Sequence, residues 1–355
     1  MASEKGLWRI FTVWLAVALL CSVLPSTVCG APADAAEEAK GLVGLYQGDT
    51  GRFLVREREG ALELLYDVAP GADEVVKSYA AFPLQRIAGD VYRLFETGPL
   101  GSRKALVRFE RDAEGRVVAC QAGERRFARK FYGPDRGLTF RIQPLLPIAE
   151  LKIRAAAASP PAEKGDFRRP DLVEITALEP AIKLDIRYAT DNNFMGVALY
   201  DEPRAFLQRP AAEALARVHR KLAGYGYGLV VHDAYRPWYV TKMFWDATPD
   251  SQKVFVADPA KGSRHNRGGA VDVALYDRKT GRLVPMISGY DEFSPRAYAD
   301  YPGGTGLDRW RRDLLRILLE GEGFTVYPEE WWHFDYQGWE HFPILNLSFS
   351  ELRGL

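Results

Sequence analysis

Bulky apolar residues occupy every second position in a series of short runs at 52–57, 62–66, 82–87, 91–95, 105–110 and 116–120. Turn residues separate them, at Arg58-Glu-Gly60, Ala88-Gly-Asp90 and Asp112-Ala-Glu-Gly115. A period of two marks a strand with one buried face. Residues 41–145 are therefore expected to form a mostly antiparallel β domain, as a sheet, barrel or half-barrel. The stretch contains no histidine and no recognisable catalytic set. Its cluster of Arg125, Arg126, Arg129 and Lys130 reads as a solvated strand edge.

The pattern breaks at 155–165, an alanine-rich stretch that contains Ser159-Pro-Pro161, with Pro170 soon after. Residues 146–170 are expected to be an extended linker; 145–154 fits either a last strand or a packed lead-in. From 171 to 355 the periods mix. Residues 184–188 and 228–232 read as strands. Residues 211–223 read as a helix behind Pro210, with Leu215, Val218 and Leu222 on one face. A strand at 270–276 places Val271, Val273 and Leu275 on one side and Ala270, Asp272 and Ala274 on the other. A second helix is predicted from an Asp308 cap to Glu320, with Trp310, Leu314, Ile317 and Leu318 inward and Gly321 or Gly323 ending it. It should pack behind the strand that carries Glu330 and His333. Residues 348–355 read as a tail. The fold class is α+β.

Charge narrows the field. The chain of 355 residues carries 47 Lys and Arg against 47 Asp and Glu, so no excess of positive charge points to nucleic acid. That length suits two domains at roughly one per 100 to 200 residues. At the start, Lys5 and Arg9 precede an apolar run at 10–20, and small residues follow near Cys29-Gly-Ala-Pro-Ala33. This is the layout of a secretory signal over residues 1–33, too short for a spanning helix. An exported chain, periplasmic or extracellular, with no membrane span after processing is expected. Removal of Cys21 and Cys29 with the signal leaves Cys120 alone, a small buried hydrophobe with no partner for a disulfide.

The chemistry lies in two short stretches, Ser263-Arg-His-Asn-Arg-Gly-Gly-Ala-Val-Asp272 and Glu330-Trp-Trp-His333. His265, Asp272 and His333 supply two imidazoles and a carboxylate, a set that holds one zinc ion and leaves a fourth position for water. Gly268 and Gly269 permit the tight turn that brings His265 back toward Asp272. Glu330 is free to carry that water's proton. Residues three apart on a regular strand face opposite sides, so Glu330 and His333 converge only if the backbone is irregular near Trp331. Trp331, Phe334 and Tyr336 read as core, and Trp332 as a wall of the substrate pocket. His219 reads as a partly exposed helix residue, His232 as a residue behind the site, and His341 as structural. Arg236 just past a strand end would by itself be an ordinary salt-bridge partner.

Ser-x-His-x-x-Gly-x-Ala-x-Asp followed by Glu-x-x-His resembles the signature of the zinc D-alanyl-D-alanine peptidases. Arg187-Tyr-Ala-Thr-Asp-Asn-Asn-Phe-Met-Gly196 and Asp233-Ala-Tyr-Arg-Pro237 resemble their dipeptidase branch, the vancomycin-resistance type. The similarity spans about half the chain, and one departure is Met286-Ile-Ser-Gly-Tyr-Asp291, in the expected substrate pocket. The resemblance implies a zinc peptidase domain with a central antiparallel sheet flanked by helices. It makes Glu330 the acid and base, Arg236 the support of the tetrahedral oxyanion, and Ser263 a donor to substrate, with Asn266 or Arg267 as further candidates. The implied substrate is free D-Ala-D-Ala, in cell-wall turnover or glycopeptide tolerance. Alternatives are a D,D-carboxypeptidase acting on peptidoglycan stem peptides and a non-catalytic zinc-stabilised wall-binding module.

Overall fold

A computed structural model describes residues 39–67, 79–98, 101–136 and 138–352. The expected signal segment at 1–33 lies outside the described residues. Among those described, no helix is long and apolar enough to cross a membrane.

The alternating stretch closes on itself. Strands β1 (Gly44–Gly48), β2 (Gly51–Arg58), β3 (Ala61–Asp67), β4 (Tyr79–Ala88), β5 (Val91–Gly98), β6 (Gly101–Arg111), β7 (Val117–Ala122) and β8 (Arg125–Arg129) pair in sequence as an antiparallel barrel. The barrel closes where β1 meets β8, Tyr46 opposite Arg129. Its core is the inward half of the alternation: Phe53 and Val55, Leu62 and Leu64, Tyr92 and Leu94, Val107 and Phe109. Closure leaves no free edge for the basic cluster to solvate. Arg129 instead donates to the carbonyls of Gly41 and Val43 across the seam, and Arg126 pairs with Glu110 at 2.8 Å. Cys120 is fully buried, and burial pushes its thiol up to about 12.

Residues 146–170 are fastened down. Helix α1 (Ile148–Ala157) packs on the C-terminal domain through Leu151 and Ala155, so 145–154 is a lead-in and not a strand. Beyond it Glu163 pairs with Arg267 at 2.5 Å and accepts from the Ile344 amide.

The C-terminal domain centres on a five-stranded sheet in the order β10, β12, β13, β15, β14. These are β10 (Lys183–Leu184), β12 (Tyr227–Asp233), β13 (Ala270–Asp277), β14 (Phe324–Tyr327) and β15 (Glu330–Tyr336). The β10–β12 pair is parallel and the rest antiparallel. A two-stranded ribbon of β9 (Leu172–Glu174) and β11 (Phe206–Gln208) stands beside it. Between them lie α2 (Ile175–Leu178), α3 (Arg209–Leu222), α4 (Trp238–Ala247), α5 (Gly306–Glu320) and α6 (Phe349–Leu352). The molecule is thus mixed α/β, an antiparallel eight-stranded barrel followed by this domain.

Helix α3 buries Leu215, Val218 and Leu222 as its spacing requires. His219, expected near the surface, is buried too; its Nδ1 accepts from the Leu229 amide because the helix lies flat on β12. The predicted strand at 184–188 stops at Leu184 and turns into a 3-10 turn. The inward face of α5 agrees with expectation at Leu314, which is buried, and Leu318, which packs on the core, but not at Trp310 and Ile317. Leu315 and Leu319 are fully buried, whereas Trp310 is 45% and Ile317 65% exposed. The cap is Thr305, and Asp308 sits at the third helical position of a reciprocal capping box. The expected tail is α6, whose Phe349 packs on Tyr200, Phe206 and Tyr235.

Candidate active site

Three strands and one turn bring the chemistry together. Asp272 and His333 sit opposite each other on β13 and β15. His265 opens a short 3-10 turn that Gly268 ends in the left-handed region, at φ 64°. A side chain on Gly269 would collide with Trp339, so the glycine pair serves both the turn and a close approach. Along β14, Val326 faces Phe334 but Tyr327 faces Glu330. The backbone irregularity expected near Trp331 is therefore present, and Glu330 Oε2 comes to 3.8 Å from His333 Nδ1.

The three candidate ligand atoms nearly touch. His265 Nε2 lies 3.0 Å from His333 Nδ1, which lies 3.0 Å from Asp272 Oδ1, and Asp272 Oδ1 is 3.3 Å from His265 Nε2. The other nitrogen of each ring is committed: His265 Nδ1 donates to the Ala234 carbonyl at 2.6 Å, and His333 Nε2 to Asp335 at 2.9 Å. Two imidazole lone pairs then face each other beside a carboxylate, an arrangement that repels unless a cation or a proton lies among them. Metal bonds of 2.0–2.1 Å in a tetrahedron give a ligand–ligand edge of about 3.3 Å. The residues fit a zinc ion, and the Ala234 carbonyl and Asp335 carboxylate hold the rings for it. Tyr290 does the same for Asp272, donating to Oδ2 at 2.8 Å.

The electrostatics agree with that crowding. Burial works against the Asp272 charge, but His265 and His333 outweigh it and hold the carboxyl below the usual range. Burial also opposes a charge on His333, yet Asp335 and Asp272 hold the ring up to about 10. Burial pushes Glu330 up to about 8, against the pull of His333.

All six residues singled out by sequence line one small cavity of about 80 Å³: Ser263, His265, Asp272, Arg236, Glu330 and His333. Arg236 is aimed by Asp233, which accepts from Nε at 2.9 Å and Nη2 at 2.7 Å, and its guanidinium lies over the rings of Tyr188 and Phe244. Asp233 is itself held by the Tyr200 hydroxyl and the Ala234 amide. Ser263 Oγ accepts from the His265 amide at 3.2 Å. Asn266 and Arg267 point elsewhere: Asn266 binds the Arg236 carbonyl and Thr241, and Arg267 binds Glu163 and the Phe342 carbonyl. Trp332, expected to wall the pocket, is entirely buried in the core and is not among the residues that line this cavity. His232 lies behind the site, its ring stacked on Tyr290 at 4.6 Å.

Sequence reasoning missed Asp291. It lines the cavity, is buried, holds φ 54°, and accepts from the Tyr188 hydroxyl at 2.8 Å. Burial and then the Asp272 charge push its carboxyl well above the usual range. The signal was its stretch, Met286 to Asp291, where the motif departs from the pattern.

A family profile described as D-Ala-D-Ala dipeptidase matches residues 168–351, slightly more than half of the chain. The chain belongs to that peptidase family. The D-alanyl-D-alanine dipeptidase of Escherichia coli K12 is 35% identical over 180 residues, 51% of this chain and 92% of the relative. That of Enterococcus faecium is 32% identical over 171 residues, 43% of this chain and 85% of the relative. That of Streptomyces coelicolor is 29% identical over 182 residues, 46% of this chain and 90% of the relative. The family match begins after the barrel, so the C-terminal domain is the peptidase domain and the barrel lies outside it.

Proposed function

We propose that the chain is a zinc-dependent hydrolase of the free D-Ala-D-Ala dipeptide, acting outside the cytoplasm on cell-wall peptide material. The observation that carries this is the meeting of His265, Asp272 and His333 within one zinc-sized triangle, beside Glu330 and Arg236 in a single cavity. His265 Nε2, His333 Nδ1 and Asp272 Oδ1 would hold the ion. Bound there, zinc supplies a polarised carbonyl and a water whose pKa falls from 15.7 to about 7, a change of roughly 12 kcal/mol.

The chain's own residues do the rest. Glu330 removes the proton of the attacking water and returns it to the leaving amine. A carboxyl with a raised pKa is suited to both halves of that exchange. Arg236, already aimed by Asp233, donates to the oxygen that becomes negative in the tetrahedral intermediate. Ser263 donates to the bound peptide.

Asp291 is what favours a dipeptidase over a carboxypeptidase. A buried carboxyl penalised by its surroundings gains from an arriving cation, and the free ammonium of a dipeptide is that cation. A stem peptide has no such group two residues from its end, its nitrogen there being an amide. Export is supported by the charged start and the apolar run at 10–20.

The test is metal analysis joined to an assay on free D-Ala-D-Ala and on a stem pentapeptide, with and without chelator. One zinc per chain, cleavage of the dipeptide alone and its loss with chelator are expected. Preferential release of D-alanine from the pentapeptide would make the protein a carboxypeptidase. Full zinc occupancy without cleavage of either substrate would make it a binding module.

A further inference from the structure

The loop that presents Tyr290 and Asp291 to the cavity is braced from outside the family domain. Directly after the barrel's last strand, residues 133–136 form a 3-10 turn carrying Pro134 and Asp135. Asp135 accepts from Arg296 Nη1 at 2.7 Å. The same guanidinium grips Glu292 with its other two nitrogens, at 2.7 and 2.6 Å, and lies over the Tyr132 ring at 4.6 Å. Glu292 has no exposed surface, and its carboxylate accepts from the Gly289 amide at 3.3 Å and the Ser294 hydroxyl at 2.6 Å. Gly289 is pressed so closely on the turn that a Cβ there would collide with Pro134 Cγ. A continuous chain of contacts thus runs from the barrel's exit to the residue just before Tyr290.

The brace has a fixed base. At the barrel's other contact, Glu57 accepts from the Gly306 amide at 2.7 Å, and Arg309 donates to the Glu57 carbonyl at 2.7 Å. It also has a task. Asp291 holds a positive φ, a conformation that Asp adopts more readily than most residues, and contacts on either side of it fix where its carboxyl points. The family match starts at residue 168, which leaves Pro134 and Asp135 outside it.

We propose that Asp135 and Pro134 are positioning residues for the amino-end subsite, so that the accessory barrel sets the affinity for the dipeptide through Arg296, Glu292 and Gly289. This rests on the assignment of Asp291 to the substrate ammonium. The barrel's part in the reaction is mechanical, and it need touch no substrate. Displacing the loop moves Asp291 relative to the ion, and errors of about 1 Å in such a site are felt in binding and rate.

The test uses the full zinc-loaded chain and steady-state cleavage of free D-Ala-D-Ala. Asp135→Ala is expected to raise KM roughly fivefold, the order of a partly buried ion pair, with kcat within about twofold and zinc content unchanged. Asp135→Glu should recover most of the loss. Gly289→Ala should raise KM as well, and Pro134→Ala in the same chain, which deletes the colliding Cγ, should bring it back. Amide hydrogen exchange across 287–292 should quicken in Asp135→Ala. Unchanged exchange and unchanged KM in both single variants overturn the brace. Asp291→Asn is the control. An unchanged KM there overturns the subsite assignment instead, while exchange still judges the brace.

Discussion

The barrel and the peptidase sheet are both largely antiparallel, but their irregularities fall in different places. The barrel's register shifts lie between Arg86 and Ala88 and between Glu110 and Arg111, next to the turns at Gly89 and Asp112. Those of the peptidase sheet lie between Val231 and Asp233 and between Val326 and Tyr327, where Asp233 and Glu330 leave the pleat to face the site. A regular strand sends neighbours to opposite faces. Bringing a base and a ligand three residues apart to one point requires the regularity to fail. In the peptidase sheet the breaks fall beside the candidate site, whereas those of the barrel fall beside its turns, and among the barrel's described residues there is no such set.

The largest effect expected tests the broken strand. Glu330→Gln should lower dipeptide cleavage by about a thousandfold or more while zinc stoichiometry stays at the parent value. Loss of metal in that variant would make Glu330 a ligand. His333→Ala should do the reverse and empty the site. On the barrel side, Phe53→Ala removes a fully packed ring that contacts Tyr46 and Phe127. It should destabilise the barrel by about 3–5 kcal/mol in denaturant unfolding and leave zinc content unchanged. A single transition that carries the metal away would show the two regions standing or falling together.

Arg236→Ala should reduce kcat/KM by about a hundredfold to a thousandfold, the loss of one donor to a developing oxyanion. Asp233→Asn, which weakens the aim of Arg236 and leaves the guanidinium in place, should fall between that and the parent. The pH dependence of metal binding is smaller per step. His333 is held up to about 10 by Asp335 and Asp272 against burial, so between pH 6 and 8 the metal-free site carries a proton that zinc must displace. Affinity should therefore rise about tenfold per pH unit over that range, read by chelator competition. A flat profile would mean that the ring is already neutral. The smallest effect is expected at the misassigned helix face: Ile317→Ser should cost less than about 0.5 kcal/mol, whereas Leu315→Ala should cost about 2–5 kcal/mol.

Much was legible in the order of residues. Alternation located six of the eight barrel strands, β2 to β7, because a closed barrel buries one face of each strand in turn; β1 and β8, which close it, were not among them. The types and spacing of His265, Asp272 and His333 named the candidate metal set, with Glu330 beside it, because ligand type and a glycine turn are local properties. The brace, the aim of Arg236 and the role open to Asp291 were not legible. Asp135 and Arg296 are far apart in the chain, and Asp291 is an ordinary acid until folding buries it beside Asp272 and Tyr188. Two of the four residues read as the inward face of α5 were misplaced for a similar reason. Trp310 and Ile317 are apolar, but which apolar side of a helix is covered depends on the sheet it meets. Periodicity and ligand chemistry are written in neighbouring residues; partnership between distant residues exists only once packing has brought them within a few ångströms.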